Sequence, residues 1–451
     1  MVSFPMSSSG LLLAIVGACL HSSAAQVCTE VYPHLSCGLS YTTETDCIAA
    51  GCCWDATPSA LNSCFAPKIN GYSYEATATS PTVSSGTLSL IEPSGMLGPD
   101  FTNLTIDITQ ETADRTHIKI VPSVPNYGQR WEVPETLLPR PGGVFEGDAN
   151  SQYVISSSED DPGQPMEVFV TRKENGVATN ELIFILSKML VFQDQYLEFV
   201  LGTPPDTAAL FGVGESTRAV QQLQANSTYT LWNTDIASAV FDVALYGTHP
   251  FLIQVSATGK ASGILFMNSN AMDVSVFQSD SMGNSVGVQS TGGVIDLYVF
   301  AGPTPADVVK QFLEVVGKPA MIPYWSLGFH NCKWGYVNTT EVADVVANYS
   351  AANIPLETQW VDIDYMHAYL DFTLDPTNFP EADMTTLVNN LHANDQYFVP
   401  IVDPGIYVSD PTNPSFVRGV EDNVFVKDIN GVNPYLGGNE YGIVINCVAD
   451  I

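Results

Sequence analysis

The sequence predicts a multidomain chain. A small disulfide-rich module comes first, then an antiparallel β-sandwich, then the N-terminal part of a (β/α)8 barrel. Three observations predict it. Six of the nine cysteines crowd between Cys28 and Cys64. Short alternating apolar runs, separated by Gly, Pro, Asn and Asp, fill residues 90–303. After Pro323, strand-like and helix-like patterns alternate, as in a parallel α/β domain.

At 451 residues the chain is long enough for two or three domains. Hydrophobic residues make up 45% of it and charged residues 14%, so it can bury a sizeable core. Fifteen Lys and Arg against 48 Asp and Glu leave a formal charge of −33. Such a chain repels polyphosphates, so nucleic acid and anionic membrane surfaces are poor partners, and no nucleic-acid partner is expected. Residues 1–25 read as an export signal. Leu11 to Leu20 is an apolar run too short to span a bilayer, and Ser23-Ala24-Ala25 offers small residues for cleavage after Ala25. The first basic side chain is Lys68, so this leader carries only its α-amino charge. No later run is long enough for a membrane span. Asn-x-Ser/Thr glycosylation signals at Asn103, Asn226, Asn338 and Asn348 agree with a secretory route, to the extracellular space or to a lysosome or vacuole.

Residues 27–68 hold Cys28, Cys37, Cys47, Cys52, Cys53 and Cys64. So short a secreted stretch cannot build enough core, and crosslinks take its place. The C-x2-C pairs of zinc sites are absent, which leaves disulfides, with fifteen possible pairings. Residues 69–89 are rich in Ser, Thr, Gly and Pro and read as a linker. In the sandwich, Ile106-Asp107-Ile108-Thr109, His117 to Val121 and Glu167 to Val170 alternate. A connecting helix occupies 304–320, with Thr304 as cap, Pro305 at its first position, a stripe of Val308, Phe312 and Val315, and Gly317 at its end.

From 321 onward the barrel begins. Ser326 to His330 reads as a strand. Asn338 caps a helix, with Glu341 three residues on, and Val342, Val345, Val346 and Tyr349 face inward. Thr358 to Asp362 is a second strand, Asp383 to Ala393 a helix, and Tyr397 to Val402 a third strand. A complete barrel takes roughly 250 residues, and residues 321–451 supply about half of that.

Function in such barrels gathers at the carboxyl ends of the strands. Asp362, Asp364 and Asp403 lie there, beside Trp334, Trp360 and Tyr365. Carboxylates accept hydrogen bonds from sugar hydroxyls, and aromatic rings cover a sugar's apolar face. The other reading of Asp364 or Asp403 is a helix cap or loop anchor. A Gly-x-Ser-x-Gly at Gly283–Gly287 lacks the following helix that a nucleophile elbow needs. Gly212-x-Gly214 lacks a third glycine and is no dinucleotide site. No cofactor and no metal are expected.

Several longer motifs carry a family resemblance. Pro323 to His330 with Cys332-Lys333-Trp334-Gly335-Tyr336, Val361 to Met366, and Leu370-Asp371-Phe372-Thr373 resemble family-31 glycoside hydrolases. So do Phe211 to Glu215, Leu245 to Phe251, Met267 to Met272, Gly292 to Asp296 and Gly302 to Pro305. The family implies that the sandwich is galactose-mutarotase-like. Cys47-x4-Cys52-Cys53-Trp54 with Cys64 resembles a P-type trefoil, which implies the pairs Cys28–Cys53, Cys37–Cys52 and Cys47–Cys64; the basic residue often found before the second cysteine is replaced by His34-Leu35-Ser36. A trefoil before such a sandwich is similar to the lysosomal and intestinal α-glucosidases.

The resemblance implies a retaining, exo-acting α-glucosidase that releases terminal glucose from maltose, malto-oligosaccharides or starch. Two carboxylates share that chemistry, one as nucleophile and one as acid/base. The family's Trp-x-Asp-Met-Asn-Glu nucleophile motif is absent from these residues, as are the acid and the Arg and His that bind the same glucose. What the family places here is substrate-binding. Asp362 binds glucose hydroxyls, Ile363 lines the pocket beside it, Trp334 and Ile401 form its wall with Asp403 nearby, and Asp235 is a loop acid sent over it from the sandwich. After Leu436-Gly437 the text departs from the family's Trp-Pro-Gly segment, as a missed splice junction or a truncated reading would produce. The chain is then expected to be inactive. The alternative is a non-catalytic secreted carbohydrate-binding protein. The sequence leaves open the linkage preference, the oligomeric state, and whether Cys332 meets Cys447.

Overall fold

A computed structural model describes the chain from residue 37 to 444, except 38–42, 50–51, 57–62, 66–70, 81, 95–97, 124–129, 142–144, 146–150, 158–163, 205, 234–239, 280–282, 404, 409, 411, 429 and 436–442. The leader, Cys28, Asp235 and Cys447 lie outside the described residues. The chain divides into two compact units, Met1–Lys318 and Pro319–Ile451.

In the cysteine module a short helix, Glu44–Ala49, lies beside the paired strands Cys53–Trp54 and Cys64–Phe65. Disulfides join Cys37 to Cys52 and Cys47 to Cys64. They close loops with sequence separations of 15 and 17, worth about 3 kcal/mol each in the chain-entropy account. Cys53 is also disulfide-bonded. The sulfurs are the core: Cys47, Cys52 and Cys64 are all buried.

Two antiparallel sheets form the sandwich. The seven-stranded sheet runs Ser227–Leu231, Met272–Ser279, Gly283–Ser290, Leu197–Gly202, Val177–Phe192, Val168–Glu174 and Tyr153–Ser157 in spatial order. The eight-stranded sheet runs Thr207–Ser216, Ala244–Ser256, Ala261–Phe266, Ile295–Phe300, Arg115–Pro122, Asn103–Gln110, Val83–Leu90 and Tyr72–Thr79. Alternation decides which residues meet between them. Ile106, Ile118, Ile120 and Leu297 from one sheet and Val170, Phe184, Phe199 and Val288 from the other belong to one buried cluster. Each such side chain contributes roughly 1.5–3 kcal/mol on burial.

The segment expected to be a linker is instead two strands of this sheet, Tyr72–Thr79 and Val83–Leu90. In this edge hairpin Thr77, Thr79 and Ser89 are exposed, while Tyr72 and Leu88 reach the core. The Tyr72 hydroxyl donates to the Phe101 carbonyl at 2.8 Å. Gly86 is required where the chain crosses Tyr74, because a Cβ there would stand 2.1 Å from that ring.

The helix Pro305–Val316 covers a second apolar cluster, in which Val308 and Val315 meet Ala261, Leu265 and Phe300. The Thr304 side chain accepts from the Asp307 amide, and Phe312 stacks on Phe251 at 4.2 Å.

His117 sits between two acids in this unit. Its Nε2 lies 2.7 Å from Asp296 Oδ1 and its Nδ1 3.3 Å from Glu111 Oε1, and the ring stacks on Tyr298 at 4.3 Å. Burial opposes the charged imidazolium, but the two carboxylates outweigh it and raise the pKa from 6.5 to about 9. A raised folded-state pKa stabilises fully below 6.5, and that stability disappears as pH rises through 9. His117→Gln should therefore destabilise more at pH 6 than at pH 10, by on the order of 2 kcal/mol in urea unfolding. Equal destabilisation at both pH values would contradict this.

In the second unit three parallel strands, His330–Asn331, Thr358–Val361 and Tyr397–Pro400, alternate with helices Thr339–Ala351 and Glu381–Ala393. The sheet is not closed. Val361, Tyr336, Val342, Met384, Leu387 and Leu391 form the core cluster of this unit. The strand expected over 326–330 is shorter: Tyr324–Leu327 is a 3-10 turn, held by the Ser326 amide and hydroxyl on the Pro323 carbonyl, and pairing begins at His330.

Candidate functional site

Parallel pairing sets the geometry. Val361 stands opposite Pro400, so Asp362 and Ile401 follow at the carboxyl ends of adjacent strands. The Ile401 amide donates to the Val361 carbonyl at 3.1 Å, extending the ladder. Asp362 is half-buried. Its Oδ1 accepts from the Ile363 amide at 2.8 Å, which fixes the rotamer. Its Oδ2 has no partner among the described residues and is free for a ligand. Ile363 and Ile401 pack partly against the core cluster.

Asp364 serves as an anchor. Its Oδ2 accepts from the Gly335 amide at 2.7 Å, at a glycine with φ +100°. This pins the loop that carries the exposed Trp334. Trp360 is turned to another use: its indole donates to His330 Nδ1 at 3.0 Å. Trp325 stacks on Tyr397 at 4.1 Å in the same aromatic group. Asp403 is half-buried, and its amide donates to Asp371 Oδ1 at 3.0 Å.

Asp371 was not singled out by sequence reasoning as a site residue, yet it is buried at the strand ends. Burial raises its pKa, offset by the Asp403 amide and reinforced by the Asp403 carboxylate. Tyr365 bridges the same place, donating to the Ile401 carbonyl at 2.7 Å. Burial also raises its pKa, with Asp371 and Asp403 adding to the shift. Cys332 is a free cysteine among the described residues; partial desolvation of its thiol, then Asp362 and Asp364, raise its pKa. Beneath the strands lies a polar network: buried Gln359 accepts from Asn331 at 3.0 Å and donates to the Tyr336 hydroxyl at 3.2 Å. The only sequence hint of it was two amides on successive strands. Asp235, proposed as a loop acid, falls outside the described residues.

Among the glycosylation signals, Asn103, Asn226 and Asn348 are exposed. Asn338 is half-buried and caps its helix through Oδ1, which leaves Nδ2 for a glycan.

Residues 319–448 match the glycosyl hydrolases family 31 TIM-barrel domain, and residues 144–274 match the glycosyl hydrolase 31 N-terminal galactose mutarotase-like domain. The chain belongs to glycoside hydrolase family 31. Residues 28–67 match the trefoil (P-type) domain. A probable alpha-glucosidase of Oryza sativa subsp. japonica is 42% identical over 369 residues, which cover 76% of this chain and 39% of that protein. An alpha-glucosidase of Hordeum vulgare is 40% identical over 353 residues, 74% of this chain and 38% of that one. Alpha-xylosidase 1 of Arabidopsis thaliana is 36% identical, with 82% and 41% covered. The family-31 chain thus spans about two fifths of these relatives' length. Crystal structures of the glucosidase II alpha subunit share the fold, with a TM-score of 0.70 at 17% identity, covering 84% of this chain and 48% of that one.

Asp364→Ala should release the Gly335 amide. Its hydrogen exchange should accelerate at least about tenfold, matching loss of a bond worth about 1 kcal/mol or more. Unchanged exchange at Gly335 would show that the loop is held by other means.

Proposed function

We propose that the strand ends of the second unit are part of the terminal-glucose pocket of a retaining exo-α-glucosidase, acting on maltose, malto-oligosaccharides or starch. The observation that carries this reading is Asp362: a rotamer-locked carboxylate with one oxygen committed to the Ile363 amide and the other open, at the carboxyl end of a barrel strand. A carboxylate so held accepts hydrogen bonds from two neighbouring hydroxyls without reorganising. Ile363 and Ile401 supply apolar wall, and Trp334 an exposed aromatic face. The α-glucosidase names of the rice and barley relatives support glucose as the sugar.

The same reading makes this chain a binder without turnover. Two of the strand-end acids have structural partners: the Asp364 carboxylate accepts from the Gly335 amide, and the Asp371 carboxylate accepts from the Asp403 amide. The 451 residues contain no Trp-x-Asp-Met-Asn-Glu nucleophile segment. The second reading is therefore a secreted, non-catalytic carbohydrate-binding protein, favoured by this lack of a placed nucleophile. The trefoil disulfides support an oxidising secretory route for either version, with an extracellular, lysosomal or vacuolar destination.

The chain should hydrolyse neither p-nitrophenyl α-glucoside nor maltose above background. Turnover that disappears in Asp362→Asn would show that the catalytic machinery is present after all and would overturn the assignment of Asp362 to binding alone.

A further inference from the structure

The sandwich carries a cavity that the barrel pocket does not use. It measures about 680 Å3 and is lined by Lys119, Arg130, Trp131, Glu132, Glu135 and Arg140, with Val133 and Pro134 between them. That volume lies within the range of small-ligand sites. Trp131 is 53% exposed, unusual for so large an apolar ring. Its ring is also fixed: the indole donates to Ser269 Oγ at 2.7 Å. Ser269 belongs to a rigid turn, in which Asn268 Nδ2 donates to the Gly292 carbonyl at 2.9 Å and Asn268 Oδ1 accepts from the Asn270 amide at 2.8 Å.

The rest of the lining is equally preorganised. Arg130 donates to the Gly293 carbonyl at 2.5 Å and lies over the rings of Phe101 and Phe192 at 5.5 and 5.2 Å. Arg140 donates to the carbonyls of Leu138 and Val133, holding the segment between them. Lys119 and Glu132 pair at 2.6 Å, each about one-third exposed. That contact leaves two ammonium protons and one carboxylate oxygen for a ligand.

We propose that this cavity is a second, non-catalytic binding site for an α-glucan chain. A fixed, exposed indole beside a Lys–Glu pair about one-third exposed suits a pyranose ring. The indole covers the apolar C–H face, and the pair exchanges hydrogen bonds with adjacent hydroxyls. Three cations, Lys119, Arg130 and Arg140, and two acids, Glu132 and Glu135, share the lining, so their charges largely offset and the cavity suits a neutral polyhydroxyl ligand. Because the ring and its supports are already held, little ordering entropy is lost on binding. The choice of α-glucan rests on the reading of the barrel; the site itself stands on the sandwich alone.

The test is affinity electrophoresis of the full chain through native gels with and without soluble starch. The chain should be retarded by starch. Trp131→Ala should bind at least about tenfold more weakly, and Trp131→Tyr, which keeps an aromatic face, should recover most of the retardation. Retardation of Trp131→Ala equal to the parent, loss in Trp131→Tyr as complete as in Trp131→Ala, or no retardation of the parent would overturn the proposal. Retardation that falls with Asp362→Asn and not with Trp131→Ala would assign starch binding to the barrel and likewise overturn this site, while leaving the barrel reading intact.

Discussion

Parallel register is what the candidate pocket hangs on. In the central strand, Thr358 faces both His330 and Tyr397, and Val361 faces Pro400. Because side chains alternate across a strand, a slip of one residue would send each to the opposite face. Gln359 specifies against that slip. It is fully buried; its Oε1 accepts from Asn331, and its Nε2 donates to the Tyr336 hydroxyl and to the Trp360 carbonyl. Displaced by one position, the Gln359 amide would lose Asn331 and Tyr336, which keep their own bond to each other at 2.9 Å, and would have to be satisfied elsewhere away from water. With the register held, the strand ends come level, and Asp362, Ile401 and the Asp371–Asp403 contact fall side by side. The polar network on one face thus positions acids at the end of the sheet, linking packing to function.

A second constraint is the scarcity of cations. Only 15 Lys and Arg oppose 48 acids, and the sandwich uses several of them internally. Arg172 is buried and donates to the carbonyls of Ala301 and Ala261 while pairing with Glu181. Arg115 is buried against Glu111 and Glu314. Lys260 bridges Glu174 and Glu181, which helps hold the Glu181 pKa low. These cations join strands and the connecting helix rather than decorate the surface. The outer surface is left acidic, which disfavours polyanionic partners.

Much of this was legible in the sequence where one physical signal dominated. Alternation placed Ile106, Ile118 and Ile120 in the core, and the Thr304-Pro305 start and the Asn338 cap marked two helices. The family motifs named the fold of both large domains. Legibility failed where signals competed. The edge hairpin at 72–90 reads as a linker because Ser and Thr dominate it, and its inward face is carried by just four apolar side chains, Tyr72, Tyr74, Leu88 and Leu90. The Pro323 segment looks strand-like from its apolar residues, yet its serine hydroxyl and amide close a turn on the proline carbonyl. At the site, sequence could put Asp362, Asp364 and Asp403 at strand ends. It could not tell an open carboxylate from an anchor, since that depends on which amide lies within reach. Asp371 was missed for the same reason: its partner, the Asp403 amide, is 32 residues away.

The central claim is that Asp362 presents an open carboxylate oxygen to a glucose ring. A crystal of the chain soaked with 1-deoxynojirimycin addresses it most directly. The account predicts ligand at the strand ends, with two ring hydroxyls within hydrogen-bond distance of the Asp362 carboxylate and the ring against Ile363 or Ile401. Ligand bound at the strand ends without contact to Asp362, or an Asp362 carboxylate closed off by a protein donor, would contradict it.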